Sequence, residues 1–339
     1  MMPAGLLPPP AVLVSAVGRT EQRGSSRLHL KPNERAEARQ EGARCMQNGG
    51  AGSERPAQFP AVRIGGLNTA VATRAALAKR MVDDAIAARR RREPGLPKLI
   101  FSSNGQGISL AATSRRFAEA MACADVIHAD GMSVVLASRL LTSSPLPERV
   151  ATTDFFHDAA QAAQDAQISF FLLGGNEEEN AAACAAARRL FPRLKIAGRH
   201  HGYFPAAENA SVCKSIITSG TEVLWVALGK PRQEFWSLEN RERLRGVAWI
   251  KTCGGLYAFL AGRRRRAPLW MQNVGLEWMF RGVQEPSRLG WRYLATNPHA
   301  MWRMLVDSNS LVARAVFQDG SIDGPVLTPH AGIQGRDDR

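Results

Sequence analysis

Short apolar runs alternate with stretches of helical periodicity through the central part of the chain. Each apolar run ends in small polar residues or glycine, as buried strands of a parallel sheet often do. The runs predict strands at 62–64, 98–101, 125–129, 168–173, 194–197, 222–227 and 247–252. Between them, the periodicity predicts helices from Thr69 or Thr73 to 92, and at 109–122, 132–141, 154–166, 177–190, 206–219 and 233–243. This alternation predicts an α/β fold, with a Rossmann-like and mostly parallel sheet that carries helices on both faces.

The two ends of the chain lack this pattern. Residues 1–59 are rich in Pro, Gly, Arg, Glu and Gln with little periodicity, which predicts a disordered tail. From residue 307 onward the chain is again loop-like, and we expect residues 307–339 to form a flexible tail. The ordered part is therefore predicted to consist of an α/β domain at 60–258 and a segment of different character at 259–306.

The segment 259–306 is basic and aromatic. Between Phe259 and Arg303 it carries eight Arg against two Glu, together with four of the seven Trp residues. Cations suit lipid headgroups and aromatic rings suit the membrane interface, so the mixture is typical of helices on an anionic membrane surface. The cations expected to contact lipid are Arg263, Arg264, Arg265, Arg266, Arg281, Arg288 and Arg292. The alternative is a pair of helices packed on the domain, with Trp in the core and Arg in water.

Composition agrees with an anionic partner. The chain has 44 Lys and Arg against 30 Asp and Glu, a net charge of +14. Interleaved Arg and aromatic residues would also suit single-stranded nucleic acid, but no other motif for RNA or DNA binding is present. The five cysteines are far apart and form no CxxC pair, which argues against a zinc site and fits a reducing compartment. We see no signal peptide and no apolar run long enough to cross a bilayer, so we expect a cytoplasmic protein.

Several predicted strands end in turns that suit a phosphate. They are Ser102-Ser103-Asn104-Gly105, Asp130-Gly131, Gly174-Gly175-Asn176, Gly229-Lys230-Pro231 and Gly254-Gly255. Glycine lets a phosphate approach backbone N–H groups, and the carboxyl ends of parallel strands meet at one edge. Neither the GxxxxGK[ST] nor the GxGxxG pattern is present. The turns predict a site for a nucleotide-type ligand that is neither a P-loop nor a dinucleotide site.

A few polar side chains at these turns are candidates for chemistry. Asp130 could cap a helix, or its carboxylate could take the proton of a sugar hydroxyl. Arg149 and Arg232 could pair with phosphate or form surface ion pairs. The Gln233 amide could bridge ligand oxygens while Lys230 or Arg232 faces phosphate. His200 and His201 have no partners at metal-ligand spacing, so no metal site is predicted.

Taken together, the motifs resemble the WecG/TagA/CpsF family of bacterial glycosyltransferases, which is glycosyltransferase family 26. The resemblance covers about residues 60–305 in order and spacing. Its matching stretches are Ala129-Asp130-Gly131 with Val134-Val135, Pro147-Glu148-Arg149-Val150 with Asp154, Phe171-Leu172-Leu173-Gly174-Gly175, His201-Gly202-Tyr203-Phe204, Leu228-Gly229-Lys230-Pro231-Arg232-Gln233-Glu234, Ala261-Gly262 with Arg266-Ala267-Pro268, and Gly275-Leu276-Glu277-Trp278 with Glu285-Pro286.

The resemblance implies an activity. A member of this family is expected to transfer a sugar from a UDP-sugar to an undecaprenyl-diphosphate-linked saccharide at the inner face of the cytoplasmic membrane. The reaction would invert the anomeric carbon and use no cofactor and no metal-binding Asp-x-Asp, a motif that this site region lacks. Surface-polysaccharide assembly is the expected pathway, the transferred sugar is left open, and so is the oligomeric state.

The resemblance also implies roles for single residues. The family's catalytic base falls on Asp130, and its Thr-x-Asn motif falls on Ser102 and Asn104. Its arginine falls on Arg149 and its glutamine on Gln233. The expected nucleotide contacts are Gly174, Tyr203, Gly229, Lys230, Gly254 and Gly255. The segment after Gly262 corresponds to the family's basic, membrane-binding lid.

Three positions depart from the family pattern. Ala258 stands where an acid thought to help hold the nucleotide is usual, Thr152 stands where glycine is usual, and Ser102 replaces threonine but keeps the hydroxyl. The change at Ala258 favours a competing hypothesis, a catalytically impaired relative that binds a nucleotide or polyanion. Asp130 and Arg149, which are retained, favour an enzyme.

Overall fold

A computed structural model of the protein describes residues 59–310. Nine strands are present in this part of the chain. In chain order they are β1 (Ala61–Ile64), β2 (Leu67–Ala70), β3 (Lys98–Ser103), β4 (Val126–Ala129), β5 (Ser169–Gly174), β6 (Lys195–His200), β7 (Val223–Ala227), β8 (Trp249–Thr252) and β9 (Asn309–Ser310). Six of them form one parallel sheet in the order β4-β3-β8-β7-β5-β6. The parallel sheet predicted from the sequence is therefore confirmed.

The helices cover both faces of this sheet, as the alternation predicts. They are α1 (Arg74–Arg89), α2 (Gly105–Thr113), α3 (Arg115–Ala122), α4 (Met132–Leu141), α5 (Thr152–Asp165), α6 (Glu177–Leu190), α7 (Asn209–Thr218), α8 (Arg232–Glu239), α9 (Leu256–Leu260), α10 (Leu269–Asn273), α11 (Glu277–Gln284) and α12 (Trp291–Val306). One hydrophobic cluster lies under α1, α5, α6 and α9, and the other lies under α2, α3, α4, α7, α8 and α12. The sheet separates these two clusters.

Strand β7 illustrates how the sequence builds the two layers. Successive side chains of a strand point to opposite faces, so Leu224 and Val226 join one cluster while Val223 and Trp225 join the other. All five residues of β7 are buried because it lies between two other strands. The Trp225 ring packs edge-on against the Phe156 ring, with 4.9 Å between their centroids. A continuous apolar run is therefore the expected signature of such a strand.

Two local predictions are corrected by the hydrogen bonds of polar side chains. Thr69 lies in β2, a hairpin partner of β1, and Thr73 caps α1 by accepting the N–H of Ala76. The predicted helix at 109–122 is two helices, because Ser114 has extended backbone angles and its hydroxyl accepts the N–H of Phe117. The first of them begins at Gly105, four residues earlier than expected, since Asn104 caps it.

The C-terminal end of the described chain returns to its beginning. Strand β9 pairs with β1, and the Asp307 carboxylate accepts two hydrogen bonds from Arg63 at 2.7 and 3.0 Å. The loop-like interpretation of the chain from residue 307 is thus wrong for residues 309–310, which form β9. Ala300 and Met304 of α12 belong to the core, so the last helix is packed into the α/β layers. The remaining residues of both predicted tails, 1–58 and 311–339, lie outside the described residues.

Candidate active site

The sheet brings most of the predicted site residues to its carboxyl edge. Ser102 and Asn104 lie at the end of β3, and Asp130 directly follows the neighbouring strand β4. On the other side of β3, strand β8 ends just before Gly254. Strand β7 comes next and leads to Gly229. The parallel register therefore aligns these turns along one edge, where ligands of open α/β sheets bind.

Asp130 is held by two neighbouring elements. Its Oδ1 accepts the backbone N–H of Thr152 at 2.7 Å, and its Oδ2 accepts the Asn104 side-chain amide at 3.2 Å. Thr152 is the first residue of α5, so the carboxylate lies at a helix N-terminus, where a negative charge is favourable. The contact uses the backbone N–H of Thr152. It is therefore kept even though threonine replaces the glycine that is usual at this position. The Asp130 side chain is partly exposed and remains open to a ligand.

The surroundings of Asp130 keep it ionised. Burial works to raise the pKa of Asp130, but the hydrogen bonds from Thr152 and Asn104 and the charge of Lys251 oppose it, and the pKa is lowered. His128 is fully buried, and burial together with the charge of Lys251 keeps the pKa of its imidazole well below the ordinary value. A carboxylate that is ionised at neutral pH can accept a proton from a sugar hydroxyl.

Lys251 is a site residue that the sequence analysis missed. It is fully buried in β8 and donates to the carbonyl of Thr252. Burial lowers the pKa of Lys251 to about 8. Register pairing places Lys251, Cys253, Ser102 and His128 on the same face of the sheet as Asp130. The available signal was a lysine inside an otherwise apolar strand, since such a charge is rarely buried without a reason.

Lys230 and Gln233 form hydrogen bonds with protein groups inside the site. The Lys230 ammonium donates to the Ser102 carbonyl at 2.8 Å and lies 3.4 Å from Glu234 Oε1. The Gln233 amide donates to Glu234 Oε1 at 2.9 Å and accepts the N–H of Gly254 at 2.9 Å. These side chains are turned inward in this structure, toward protein groups rather than the open edge. The sequence pattern could not distinguish the two directions, and their ligand contacts stay predictions.

Three of the predicted glycines have left-handed backbones but different surroundings. A side-chain carbon at Gly229 or Gly254 would meet nothing within 4 Å, so the space beside these turns is open to a ligand. At Gly174 the same carbon would lie 2.4 Å from the carbonyl oxygen of Ala227. Packing of β5 against β7 therefore requires glycine at 174 independently of any ligand. Gly229 and Gly254 fit the predicted role in phosphate binding best.

Tyr203 lies at the far end of this edge. Its side chain is 76% exposed. The preceding Gly202 donates its N–H to the carbonyl of Gly175 at 2.8 Å, which fixes the loop against the β5 turn. An exposed aromatic ring beside a glycine turn provides a surface on which a nucleobase can stack.

The turn that departs from the family pattern is rigid and basic. The Tyr257 hydroxyl donates to the carbonyl of Trp225 at 2.8 Å, and Ala258 is buried, with its carbonyl accepting the N–H groups of Arg263 and Arg264. Guanidinium nitrogens of Arg264 and Arg281 lie within 3.0 and 3.9 Å of where a side-chain carbon of Gly255 would be. The turn without the usual acid is thus covered by two cations.

Arg149 is engaged by the C-terminal segment. Its Nη1 donates to Glu277 Oε2 at 2.8 Å, and its Nη2 donates to Gln272 Oε1 at 3.0 Å. Arg266 contacts Asp154 and the same Gln272 side chain. These contacts attach the segment to the loop before α5, in which Val150 donates its N–H to the carbonyl of Ala129, the residue before Asp130. A phosphate at Arg149 would share or replace these partners, so the predicted role of Arg149 stays a prediction.

Comparison with known proteins shows which family the chain belongs to. The profile of the glycosyltransferase WecG/TagA/CpsF family matches residues 62–313. The chain belongs to this family. Its similarity extends to three enzymes named N-acetylglucosaminyldiphosphoundecaprenol N-acetyl-beta-D-mannosaminyltransferase. The enzyme of Bacillus spizizenii is 31% identical over 56% of this chain and 71% of its own length. Those of Bacillus subtilis and Staphylococcus aureus are each 29% identical, over 59% and 56% of this chain and 76% and 74% of their own lengths. The expected family and the expected enzyme class, a glycosyltransferase, are thereby confirmed.

The arginines in the basic segment of this WecG/TagA/CpsF protein lie in different environments, which are ion pairs, solvent and the faces of aromatic rings. Arg263 pairs with Glu178, Arg264 with Glu285, and Arg266 is turned toward Asp154. Arg265 is exposed, while the guanidinium groups of Arg281 and Arg292 lie over the rings of Phe259 and Tyr293. The side chain of Arg288 lies outside what the structure describes. Lipid contact by these residues stays a prediction.

The aromatic residues of the same segment are mostly exposed. Large apolar side chains with at least two fifths of their surface exposed are Leu269, Trp270, Val274, Trp278, Met279, Val283, Trp291, Leu294, Met301, Trp302, Leu305 and Val306. The alternative that places Trp in the core therefore does not describe this segment. Within residues 59–310, no helix is both long and apolar enough to span a bilayer, and no group of His, Cys, Asp and Glu forms a metal-binding set.

Proposed function

We propose that the protein transfers a sugar, with inversion, from a UDP-sugar to an undecaprenyl-diphosphate-linked saccharide in surface-polysaccharide biosynthesis. Membership of the glycosyltransferase family and the names of its relatives support the acceptor class. Those relatives are named for transfer of N-acetylmannosamine to an N-acetylglucosaminyl acceptor, which makes this pair the first to test. The observation that carries the proposal is the carboxylate of Asp130, partly exposed and held at the carboxyl edge of the sheet by Asn104 and the Thr152 N–H.

Asp130 would act as the general base. As the acceptor hydroxyl attacks the anomeric carbon, Asp130 takes its proton and the bond between that carbon and the UDP oxygen breaks. Attack from the face opposite the leaving group inverts the anomeric configuration. Asn104 and the Thr152 N–H hold the carboxylate in place during this step. The free-energy cost of orienting the base therefore adds little to the barrier.

The leaving diphosphate needs positive charge, and the residues at the edge can supply it. Arg264 and Arg281 lie over Gly255, and Arg149 lies in the loop that leads to α5. Ser102 would contact the acceptor together with Asn104. Lys230 and Gln233 would hold the turns in place through their hydrogen bonds to Ser102 and Gly254. Guanidinium groups provide charge and directional donors, so we propose that they do the work of a divalent metal.

The nucleotide would occupy the half of the edge formed by β5, β7 and β8. We propose that the diphosphate lies against the open turns at Gly229 and Gly254, and that the uracil stacks on Tyr203 beside Gly174 and Gly175. In this arrangement the cations over Gly255 would contact the diphosphate, while Ala258 leaves out the hydrogen-bond acceptor that the family's acid provides. The donor site is therefore retained in altered form.

We propose that the exposed aromatic segment places the enzyme on the cytoplasmic face of the inner membrane as a peripheral protein. Its Trp and Leu side chains would enter the interface while Arg265 and its neighbours contact anionic headgroups. A lipid-linked acceptor lies in that interface, so attachment of the enzyme raises the local concentration of its substrate.

The test is transfer by the purified protein. Mixing it with UDP-sugars and a lipid-linked N-acetylglucosaminyl acceptor is expected to release UDP and to yield a product whose anomeric configuration, measured by NMR, is opposite to that of the donor. A product with the donor's configuration would contradict inversion. Binding of UDP without turnover of any donor would favour the second candidate, the impaired relative that Ala258 suggests.

A further inference from the structure

Helix α4 has an apolar side that the rest of the described chain covers only in part. Met132 at its N-terminal end packs partly against the core, and exposure increases toward Leu140. Val134, Val135 and Ala137 are buried in the core, as expected for a helix that packs on a sheet. On the opposite side, Leu136 is 36% exposed and Leu140 is 82% exposed. Met132, Leu136 and Leu140 are four residues apart and therefore follow one line along the helix. We call these three residues the α4 stripe.

The α4 stripe continues the exposed aromatic surface of the C-terminal segment. A side-chain carbon at Gly275 would lie 3.7 Å from Met132 Cβ and 3.8 Å from Leu136 Cδ1, so the backbone between α10 and α11 rests on the stripe. Val274, just before Gly275, is 54% exposed, and Trp270 and Trp278 on the two flanking helices are exposed as well. The apolar surface thus extends from the C-terminal segment onto the α/β core.

The charges around the α4 stripe favour an anionic bilayer over a second copy of the chain. No acidic residue occurs between Gly131 and Pro147, and the charged residue in that stretch is Arg139, which is exposed. The neighbouring segment 259–303 has eight Arg against two Glu. Two copies meeting through this face would bring like charges together, whereas anionic headgroups attract Arg while the acyl boundary accepts Leu.

Helix α4 also starts at the catalytic turn. Asp130 and Gly131 directly precede Met132, and the eight residue steps from Met132 to Leu140 rise by about 12 Å. A helix that lies on the bilayer along this stripe keeps its N-terminal end, and with it Asp130, at the depth of the lipid headgroups. The diphosphate of a lipid-linked acceptor lies at the same depth.

We propose that the α4 stripe is a membrane-contact site of the α/β core, adjoining the C-terminal segment, and that it sets the distance between Asp130 and the bilayer. The inference rests on the proposed function, since it assumes that the enzyme acts at a membrane. It extends the membrane contact from the C-terminal segment onto the α/β core, and a broader contact restricts how far the protein can tilt on the surface.

Vesicle binding of a Leu136→Ser, Leu140→Ser double variant tests the proposal. Both leucines would lose apolar contact with the acyl boundary, so we expect the affinity for phosphatidylglycerol–phosphatidylethanolamine vesicles to fall about tenfold or more. The matched control is Leu190→Ser, which changes an exposed leucine on α6 that lies outside this surface. Thermal unfolding of both variants checks that the fold is kept.

A nitroxide label reports the depth directly. In a Cys45→Ser background the four described cysteines are buried, so a label can be directed to Leu140→Cys or, as a control, to Leu190→Cys. On vesicles, we expect the label at position 140 to become accessible to oxygen and shielded from water-soluble relaxants, while the label at position 190 stays in water.

Three results would overturn the inference. The first is equal vesicle affinity of the double variant and the wild type while the label at position 140 stays in water. The second is a change of oligomeric state in the double variant without loss of vesicle affinity, which would assign the stripe to a self-interface. The third is a wild-type protein that does not bind anionic vesicles. Sugar transfer to a water-soluble acceptor analogue is independent of all three, so failure of the proposed chemistry remains distinguishable.

Discussion

At the scale of single residues, Lys251 makes the least expected contribution to the site. A fully buried ammonium costs free energy, and part of that cost is offset by the nearby carboxylates of Asp130 and Glu234. The positive charge in turn helps to lower the pKa of Asp130. The buried charge of Lys251 thus lowers the stability of the fold, while the same charge favours the ionised form of Asp130.

The buried charge predicts that the effect of Lys251→Met on the free energy of unfolding depends on pH. Burial lowers the pKa of Lys251 from 10.5 to about 8. Below pH 8 both the folded and the unfolded chain carry the proton, and folding buries the charge. Between about pH 8 and 10.5 only the unfolded chain keeps the proton, so this residue makes the wild type more stable as the pH rises. We expect Lys251→Met to be more stable at pH 7 by about 1–3 kcal/mol, with a smaller advantage at pH 10.

Urea unfolding across this pH range measures the difference. A Lys251→Met variant that is less stable than the wild type at pH 7, with a difference that does not change with pH, would contradict the account. Replacing the exposed Lys79 by Met is the control, since we expect no such pH dependence for a lysine in a solvent-exposed ion pair.

The glycine turns allow a second prediction at this scale. Gly174→Ala would place a carbon 2.4 Å from a backbone carbonyl, so we expect it to destabilise the fold by about 3 kcal/mol or more. Gly254→Ala has free space but a left-handed backbone, at a cost of about 1–2 kcal/mol. We expect Gly254→Ala to stay folded and to bind UDP weakly, as measured by calorimetry. UDP affinity equal to that of the wild type would remove Gly254 from the proposed nucleotide site.

At the scale of elements, the small sheet β2-β1-β9 joins the two ends of the described chain. Asp307 connects it to α12 by contacts with both Arg63 and Arg303. Gly66 and Gly65 complete the junction through bonds to Asp307 and Ser308. The last helix is therefore held in the core by contacts at its C-terminal end as well as by its apolar face.

The junction predicts the effect of Asp307→Ala. Loss of a carboxylate that pairs with two arginines in a partly buried position is expected to lower the free energy of unfolding by about 1–2 kcal/mol. Asp165→Ala removes a single exposed ion pair with Arg193 and should change it by less than about 0.5 kcal/mol. Chemical denaturation measures both. Equal effects of the two variants would show that β9 and its contacts contribute nothing to the stability of the core.

Elements with strong periodicity could be predicted from the sequence, and contacts between distant residues could not. The apolar runs indicate β3, β4, β5, β7 and β8 because burial on both faces leaves few polar positions. The edge position of Asp130 follows from the same pattern. By contrast, the inward direction of Lys230 depends on Ser102, which is 128 residues away, and the partner of Arg149 is Glu277, also 128 residues away. Local periodicity contains no information about such pairs.

At the scale of the whole molecule, charge and exposed apolar area occur together. The net charge of +14 attracts an anionic surface from a distance, and the exposed Trp and Leu side chains provide contact at short range. Salt screens the first contribution and leaves the second nearly unchanged. We therefore expect binding to phosphatidylglycerol vesicles to weaken at least about tenfold between about 50 and 500 mM NaCl without disappearing. Binding that does not depend on salt would contradict a role for the arginines.

The central claim is that Asp130 is the base of a sugar transfer, and the Asp130→Asn variant tests it most directly. Asparagine has nearly the same shape and can still accept the N–H of Thr152, but it cannot take a proton from the acceptor. We expect transfer from UDP-sugar to lipid-linked acceptor to fall by at least about a thousandfold, while the unfolding temperature and the UDP affinity stay close to those of the wild type. The control Asp165→Asn should transfer sugar at the wild-type rate. Transfer by Asp130→Asn at a rate close to that of this control would contradict the account.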